Sequence, residues 1–172
     1  DKYEETVKMF TDEFAIKAPI ILGSAWAKYL GRLWRFGDQQ ESVEVMIPTG
    51  YLTETLRLMG LQESKSVATP SVPGKAERSE GDEPLSEEEH RHYRSCVGRL
   101  IWTLQERPDL SEAVVQCARA VSTPTTMDQE RLKRIMRYVQ GTLQARLRLQ
   151  LDKDAAIDRI IVYTDASWGS TH

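Results

Sequence analysis

The residues best suited to chemistry in this chain are few, and the sharpest lies near its end. In "RIIVYTDASW" an apolar run, Ile160 to Tyr163, leads directly into Thr164 and Asp165. A carboxylate at a strand end is a hard oxygen donor, although a single one holds no metal by itself. As a plain structural residue it would cap the strand. A second candidate is cationic: Lys133, Arg134 and Arg137 fall opposite Leu132, Ile135 and Val139 on one helical stretch. Such a row suits sequence-independent phosphate contact, and it equally describes a solvated helix surface. The third candidate is Gly98 with Trp102, four residues apart and so on one helical face. The glycine removes a side chain where two backbones approach, and the indole offers a flat surface; helix packing would use the same pair. His90 and His92 lie two apart on a helix and point to different faces, which reads as solvated surface. Trp26 and Trp34 read as packing residues, and Cys96 and Cys117, without metal-ligand spacing, as reduced core residues.

These residues need elements to position them. "KYEETVKMFTDEF" carries Tyr3, Val7, Phe10 and Phe14 on one stripe of an amphipathic helix. "KYLGRLWRFGD" reads as a strand closing in a turn at Gly37-Asp38, and "SVEVMIP" as its hairpin partner. Pro48-Thr49 opens a helix through Leu52, Leu56 and Leu58 that stops near Gly60. Residues 69–84, with Pro70, Pro73, Pro84, Gly74, Gly81 and many charges, read as a linker and a boundary. Beyond it, Ser86 and Glu89 form a capping-box pattern ahead of a stripe Tyr93, Val97, Leu100, Ile101 and Leu104. Pro108 begins another helix with Leu110, Val114, Cys117 and Val121 on one side. A third helix follows Thr123-Pro124 and stops at Gly141. "RLRLQL" and "RIIVYTD" are strand candidates.

Composition bounds the class. With 172 residues, 40% of them hydrophobic and 28% charged, the chain is long enough for a real core. No apolar run approaches the roughly 20 residues that span a bilayer. The net charge of −3 hides an asymmetry. Seven acids and one base lie between Glu77 and Glu89, whereas six bases and no acid lie between Arg131 and Leu151. The first residue is Asp1, not Met, which reads as a cut start.

Five stretches carry a family resemblance: "KYLGRLW" (28–34), "VATP" (67–70), "GRLIWTLQERPDLSEAV" (98–114), "RLKRIMRYVQGT" (131–142) and "VYTDASW" (162–168). In order and spacing they resemble copia-type LTR retrotransposon Pol polyproteins, across the end of the reverse transcriptase and the start of RNase H. The resemblance covers nearly the whole chain. It implies an α+β fold: a helix and β-hairpin, a helical thumb/connection region, then the first strands of an RNase H-like domain. The implied division is 1–68 for the end of the palm, 69–84 for the linker, 85–142 for the thumb/connection and 143–172 for the truncated RNase H-like start.

The resemblance also implies roles. "KYLGRLW" with "VEVMIP" is similar to the primer-grip hairpin of retroviral reverse transcriptases, which singles out Tyr29, Leu30 and Gly31. "YRSCVGRLIW" is similar to the thumb helix lying along the template–primer duplex, which singles out Gly98, Arg99 and Trp102 beside the cations Lys133, Arg134 and Arg137. "YTDAS" resembles the strand-end "YTDGS" of RNase H, where Asp165 would be a catalytic carboxylate and metal ligand in a two-magnesium site. The implied cofactor is magnesium in the parent protein, with none expected on this fragment. The implied partners are an RNA–DNA hybrid or DNA duplex and the rest of the Pol polyprotein, with no membrane. The expected location is intracellular, in a cytoplasmic particle or the nucleus. The competing reading is a non-catalytic nucleic-acid-binding or protein-interaction module from a decayed or retained retroelement.

The family's Y-x-D-D motif is not found here, and its further RNase H carboxylates would fall beyond His172. The isolated chain is therefore expected to show neither polymerase nor RNase H activity. Assays of pure protein with magnesium check this: primer extension or hybrid cleavage would overturn the reading.

Overall fold

The computed structural model describes residues 2–14, 19–71 and 82–150. The first helix, α1 (Lys2–Glu13), forms on the expected stripe, yet Phe10 and Phe14 stay exposed and stack on each other at 6.3 Å. The hairpin region differs from the single strand expected over "KYLGRLWRFGD". It contains two strands, β1 (Ala27–Tyr29) and β2 (Arg32–Phe36), reversing at Leu30-Gly31. Both turn residues have positive φ, 47° and 77°, and turns of this hand match the twist of paired strands. Gly31 takes that conformation without strain, whereas Leu30 is an unusual occupant. The expected reversal near Gly37-Asp38 is also present and leads into β3 (Ser42–Met46).

The fourth strand, β4 (Leu147–Gln150), pairs antiparallel with β3, so the sheet runs β1-β2-β3-β4. "RLRLQL" was expected to be a strand, grouped with the one ending at Asp165. Residues 151–172, Asp165 among them, lie outside the described residues. The middle of the linker, residues 72–81, lies outside them too.

The helices follow their sequence signals closely. Four pack together: α2 (Thr49–Leu58), α3 (Glu87–Ile101), α4 (Ser111–Arg119) and α5 (Thr126–Gly141). Ser86 and Glu89 close the capping box of α3 as anticipated. Thr125 and Asp128 close another on α5 that the sequence reading passed over, because Asp stands where Glu or Gln usually does. A 3-10 turn, Pro108–Leu110, leads into α4. On α3, Tyr93, Cys96, Val97 and Leu100 are buried, but Ile101 is exposed, since one further residue turns its side chain about 100° off the packed face.

The core joins both sides of the linker. Ile47, Leu52 and Leu56 pack with Tyr93, Val97, Leu100, Val114, Cys117, Leu132, Met136 and Val139. Cys96 and Cys117 are free and buried, and burial raises the Cys117 thiol to about 11. Past the undescribed stretch, Leu85 N–H donates to the Pro124 carbonyl, and Asp82 accepts from the Thr126 hydroxyl and the Met127 N–H. The chain thus returns at the N-terminus of α5.

One charged residue sits in the middle of the sheet. Glu44 on β3 lies between Arg35 on β2 and Arg148 on β4 by strand register and is 1% exposed. The Arg35 guanidinium holds its carboxyl at about 2, against the ordinary 4.5; burial opposes this, while Arg148 and Arg146 reinforce it. A carboxyl depressed on folding stabilises the native state above its unfolded value and loses that contribution as pH falls toward its folded one. Glu44 should therefore stabilise the sheet above about pH 4.5 and progressively cease to between there and about pH 2. Urea denaturation of wild type and Glu44→Gln at successive pH values checks this. The wild type should be the more stable at pH 5, with the difference shrinking on acidification.

Candidate functional site

The hairpin turn and the end of α3, far apart in sequence, meet in space. A Cβ placed on Gly31 would stand 3.1 Å from the Trp102 ring, so glycine lets the turn close against the indole. Arg32, the next residue, stacks its guanidinium over that ring at 3.3 Å and donates to the Trp102 carbonyl at 2.6 Å. Its Nε lies 2.9 Å from Glu106, and both side chains are buried. The other Glu106 oxygen, Oε2, is buried without a hydrogen-bond partner among the described residues. On its other flank Trp102 meets the Tyr51 ring at 4.6 Å, and Arg99 lies over Tyr51 at 4.4 Å. A continuous set of cation–aromatic contacts, Arg32, Trp102, Tyr51 and Arg99, therefore joins sheet, α2 and α3.

This arrangement separates the sequence candidates. Tyr29 and Leu30 are exposed at the turn, Leu30 at 77%, and Trp102 keeps 38% of its surface in contact with solvent. Gly98, one turn before Trp102, is exposed and would have nothing within 4 Å of an added Cβ. Packing of α3 against a neighbour does not account for a glycine there. Arg99 is committed inward: its Nε donates to Thr55 at 2.7 Å and its Nη2 to the Tyr51 carbonyl at 3.1 Å.

The cationic row on α5 is also engaged, largely by the segment that follows α2. Arg134 donates to the Thr69 hydroxyl at 2.9 Å and Arg137 to the Lys65 carbonyl at 2.9 Å. Gln140 donates to the Gln62 carbonyl at 2.9 Å, and Lys133 pairs with Glu130 at 2.7 Å. The "VATP" stretch is thus the cover of this helix face. His90, expected at a solvated surface, is partly buried with Nε2 2.7 Å from the Val121 carbonyl.

Sequence reasoning quoted "ERPDL" without assigning it a task. Arg107 is almost fully buried there, doubly bonded to Asp109 and reaching both the hydroxyl and carbonyl oxygens of Thr142. Burial pushes the Asp109 carboxyl up, but the Arg107 guanidinium and the Tyr138 hydroxyl hold it below its ordinary value. The available signal was an Arg and an Asp bracketing a proline at a helix start. Among the described residues no group of three or more His, Cys, Asp or Glu could hold a metal ion. No described helix is long and apolar enough to cross a membrane.

Breaking a buried ion pair on one side costs about 3–5 kcal/mol, because it strands a charge. Arg32→Leu should destabilise by about that amount, and adding Glu106→Leu should recover part of it. A double-mutant cycle by chemical denaturation reads this directly; purely additive losses would count against the pairing.

No protein-family profile matches the chain, and no solved structure matches it. It is 29% identical over 129 residues, 71% of its length, to a retrovirus-related Pol polyprotein from transposon RE1 of Arabidopsis thaliana, covering 8% of that protein. A second match, to the polyprotein from transposon RE2 of the same plant, is 29% identical over 118 residues, 69% of the chain and 8% of the relative. A third, 34% identical over 95 residues, covers 55% of the chain and 38% of the uncharacterized mitochondrial protein AtMg00810 of Arabidopsis thaliana. The chain spans less than half the length of each of these relatives. In agreement with the motifs quoted above, the chain is related in sequence to the retrovirus-related Pol polyproteins of transposons, over a part of their length.

Proposed function

We propose that this chain is the part of a retrotransposon Pol protein that holds a template–primer duplex, RNA–DNA hybrid or DNA, and supplies no complete catalytic centre of its own. The observation that carries the reading is the convergence of the Tyr29–Leu30–Gly31 turn with Trp102, beside an open Gly98. With Arg32 and Tyr51 against its faces, the partly exposed indole offers its rim as an apolar contact to a sugar, and a side-chain-free helix turn next to it admits a sugar–phosphate backbone closely. Lys133, Arg134 and Arg137 supply phosphate contacts on α5, where the competing partners of the two arginines are a neutral hydroxyl and a neutral carbonyl. A phosphate is the stronger acceptor for a guanidinium.

In this reading Asp165 belongs to an RNase H-like carboxylate set completed elsewhere in the parent protein, with magnesium as the cofactor there. The rest of Pol is the expected partner, within an intracellular particle or the nucleus.

Gly98→Leu separates binding from folding. Leucine favours a helix over glycine by roughly 0.5–1 kcal/mol, and the space around Gly98 is open, so the variant should fold at least as well as wild type. Its affinity for a labelled RNA–DNA hybrid, read by fluorescence anisotropy, should fall by about tenfold, equivalent to about 1.4 kcal/mol. Unchanged affinity in a folded variant would sink the reading of this surface.

A further inference from the structure

The solvent-side face of the sheet carries an arrangement that the hairpin–Trp102 surface does not use. Alternation along β2 turns Arg32 toward the helices and Arg35 to the opposite face. The register then sets Arg35, Glu44 and Arg148 in one row across three strands, and Lys28 on β1 shares this face through its pairing with Leu33. Arg35 donates through Nε and Nη2 to one Glu44 oxygen at 2.9 and 2.7 Å. Arg148 donates through the same two nitrogens to the other oxygen at 3.0 and 2.7 Å. Arg146 adds a third guanidinium, its Nε at 3.1 Å.

Two bidentate arginines already satisfy both carboxylate oxygens, so the third is more than Glu44 requires. Three cations around one anion leave a surplus of two positive charges, and like charges held this closely repel. The arginine side chains are 30%, 44% and 55% exposed for Arg35, Arg146 and Arg148, while Glu44 lies beneath them at 1%. The Nη1 groups of Arg35 and Arg148 and both terminal nitrogens of Arg146 meet no acceptor among the described residues. The Trp26 ring backs Arg35 at 4.5 Å from its guanidinium carbon. Asp38 and Glu41, at the neighbouring turn, are the nearby acids in sequence that oppose this charge.

We propose that Arg35, Arg146 and Arg148, held in place by the buried Glu44, form a second docking site for the phosphodiester backbone of a nucleic-acid duplex. The proposal rests on the duplex-holding reading and extends it to a face that reading does not include. Glu44 fixes the planes of the guanidiniums at no loss of their outer donors, which suits bidentate phosphate contact. The surplus charge is repaid when a polyanion replaces condensed counterions.

The test compares the salt dependence of hybrid binding in the full chain. Arg146→Ala with Arg148→Ala leaves Arg35 on Glu44, so the buried carboxylate keeps a partner. Each lost phosphate contact lowers the slope of log affinity against log salt by about 0.9 for B-form DNA, so the double variant should lose about 1.8, and a hybrid should behave comparably. Arg146→Ala alone, which removes the least connected arginine, should lose about half as much. Circular dichroism confirms that each variant is folded. Unchanged slopes in folded arginine variants, with duplex binding intact and sensitive to Gly98→Leu, would overturn this patch and leave the hairpin–Trp102 surface standing. Wild-type protein that binds no duplex would overturn both. Preference for polyglutamate over duplex would assign the patch to an acidic protein and overturn the proposal.

Discussion

Arg32 occupies the joint on which the sheet and the helices depend. Its guanidinium is taken out of water between Glu106 and the face of Trp102, and it donates to the carbonyl at the end of α3. A buried cation is costly unless its charge and its donors are both met, and here a carboxylate, a carbonyl and a ring meet them together. Because the three partners lie within five residues of one another, losing Arg32 would release the hairpin and the end of α3 at once. Gly31 makes the contact sterically possible, since any larger residue would press on the indole.

Around that joint the molecule repeats one device: an arginine crossing from its own element to polar groups of another. Arg99 ties α3 to α2 through Thr55 and Tyr51. Arg107 ties the turn before α4 to the end of α5 through Thr142. Arg134 and Arg137 fasten the 62–71 segment to α5. The planar guanidinium has five donors in a fixed fork, so one side chain can serve two elements. Four of the five family motifs meet through these contacts, which gives them a structural reason to occur together, apart from any ligand.

The same chemistry makes some arginines poor candidates for binding and others good ones. Arg99 spends its donors inside the protein. Arg146 and Arg148 are exposed and share an acceptor with Arg35, so their free donors face outward with surplus charge. Exposed Leu30, half-exposed Trp102 and open Gly98 stand together on another surface. Each is present in the folded chain without unfolding any element.

The local elements were legible in the sequence because their signals are local. Ser86 and Glu89 announce a capping box, Pro108 a helix start, and the 3.6-residue stripes name Val97, Val114, Leu132 and Val139 as core, where the structure buries them. The turn at Leu30-Gly31 was read through, because a leucine at positive φ breaks the rule by which such turns are recognised. The cationic row on α5 was legible as charge, but whether its members are free depends on the 62–71 segment folding back, which no periodicity encodes. The placement of Arg35, Glu44 and Arg148 in one row is likewise a matter of strand pairing. Each looks in sequence like a stray charge in an apolar strand. Only strand register, between β2 and β3 with Arg35 and Glu44 9 residues apart and between β3 and β4 with Glu44 and Arg148 104 apart, gathers the arginines around one glutamate.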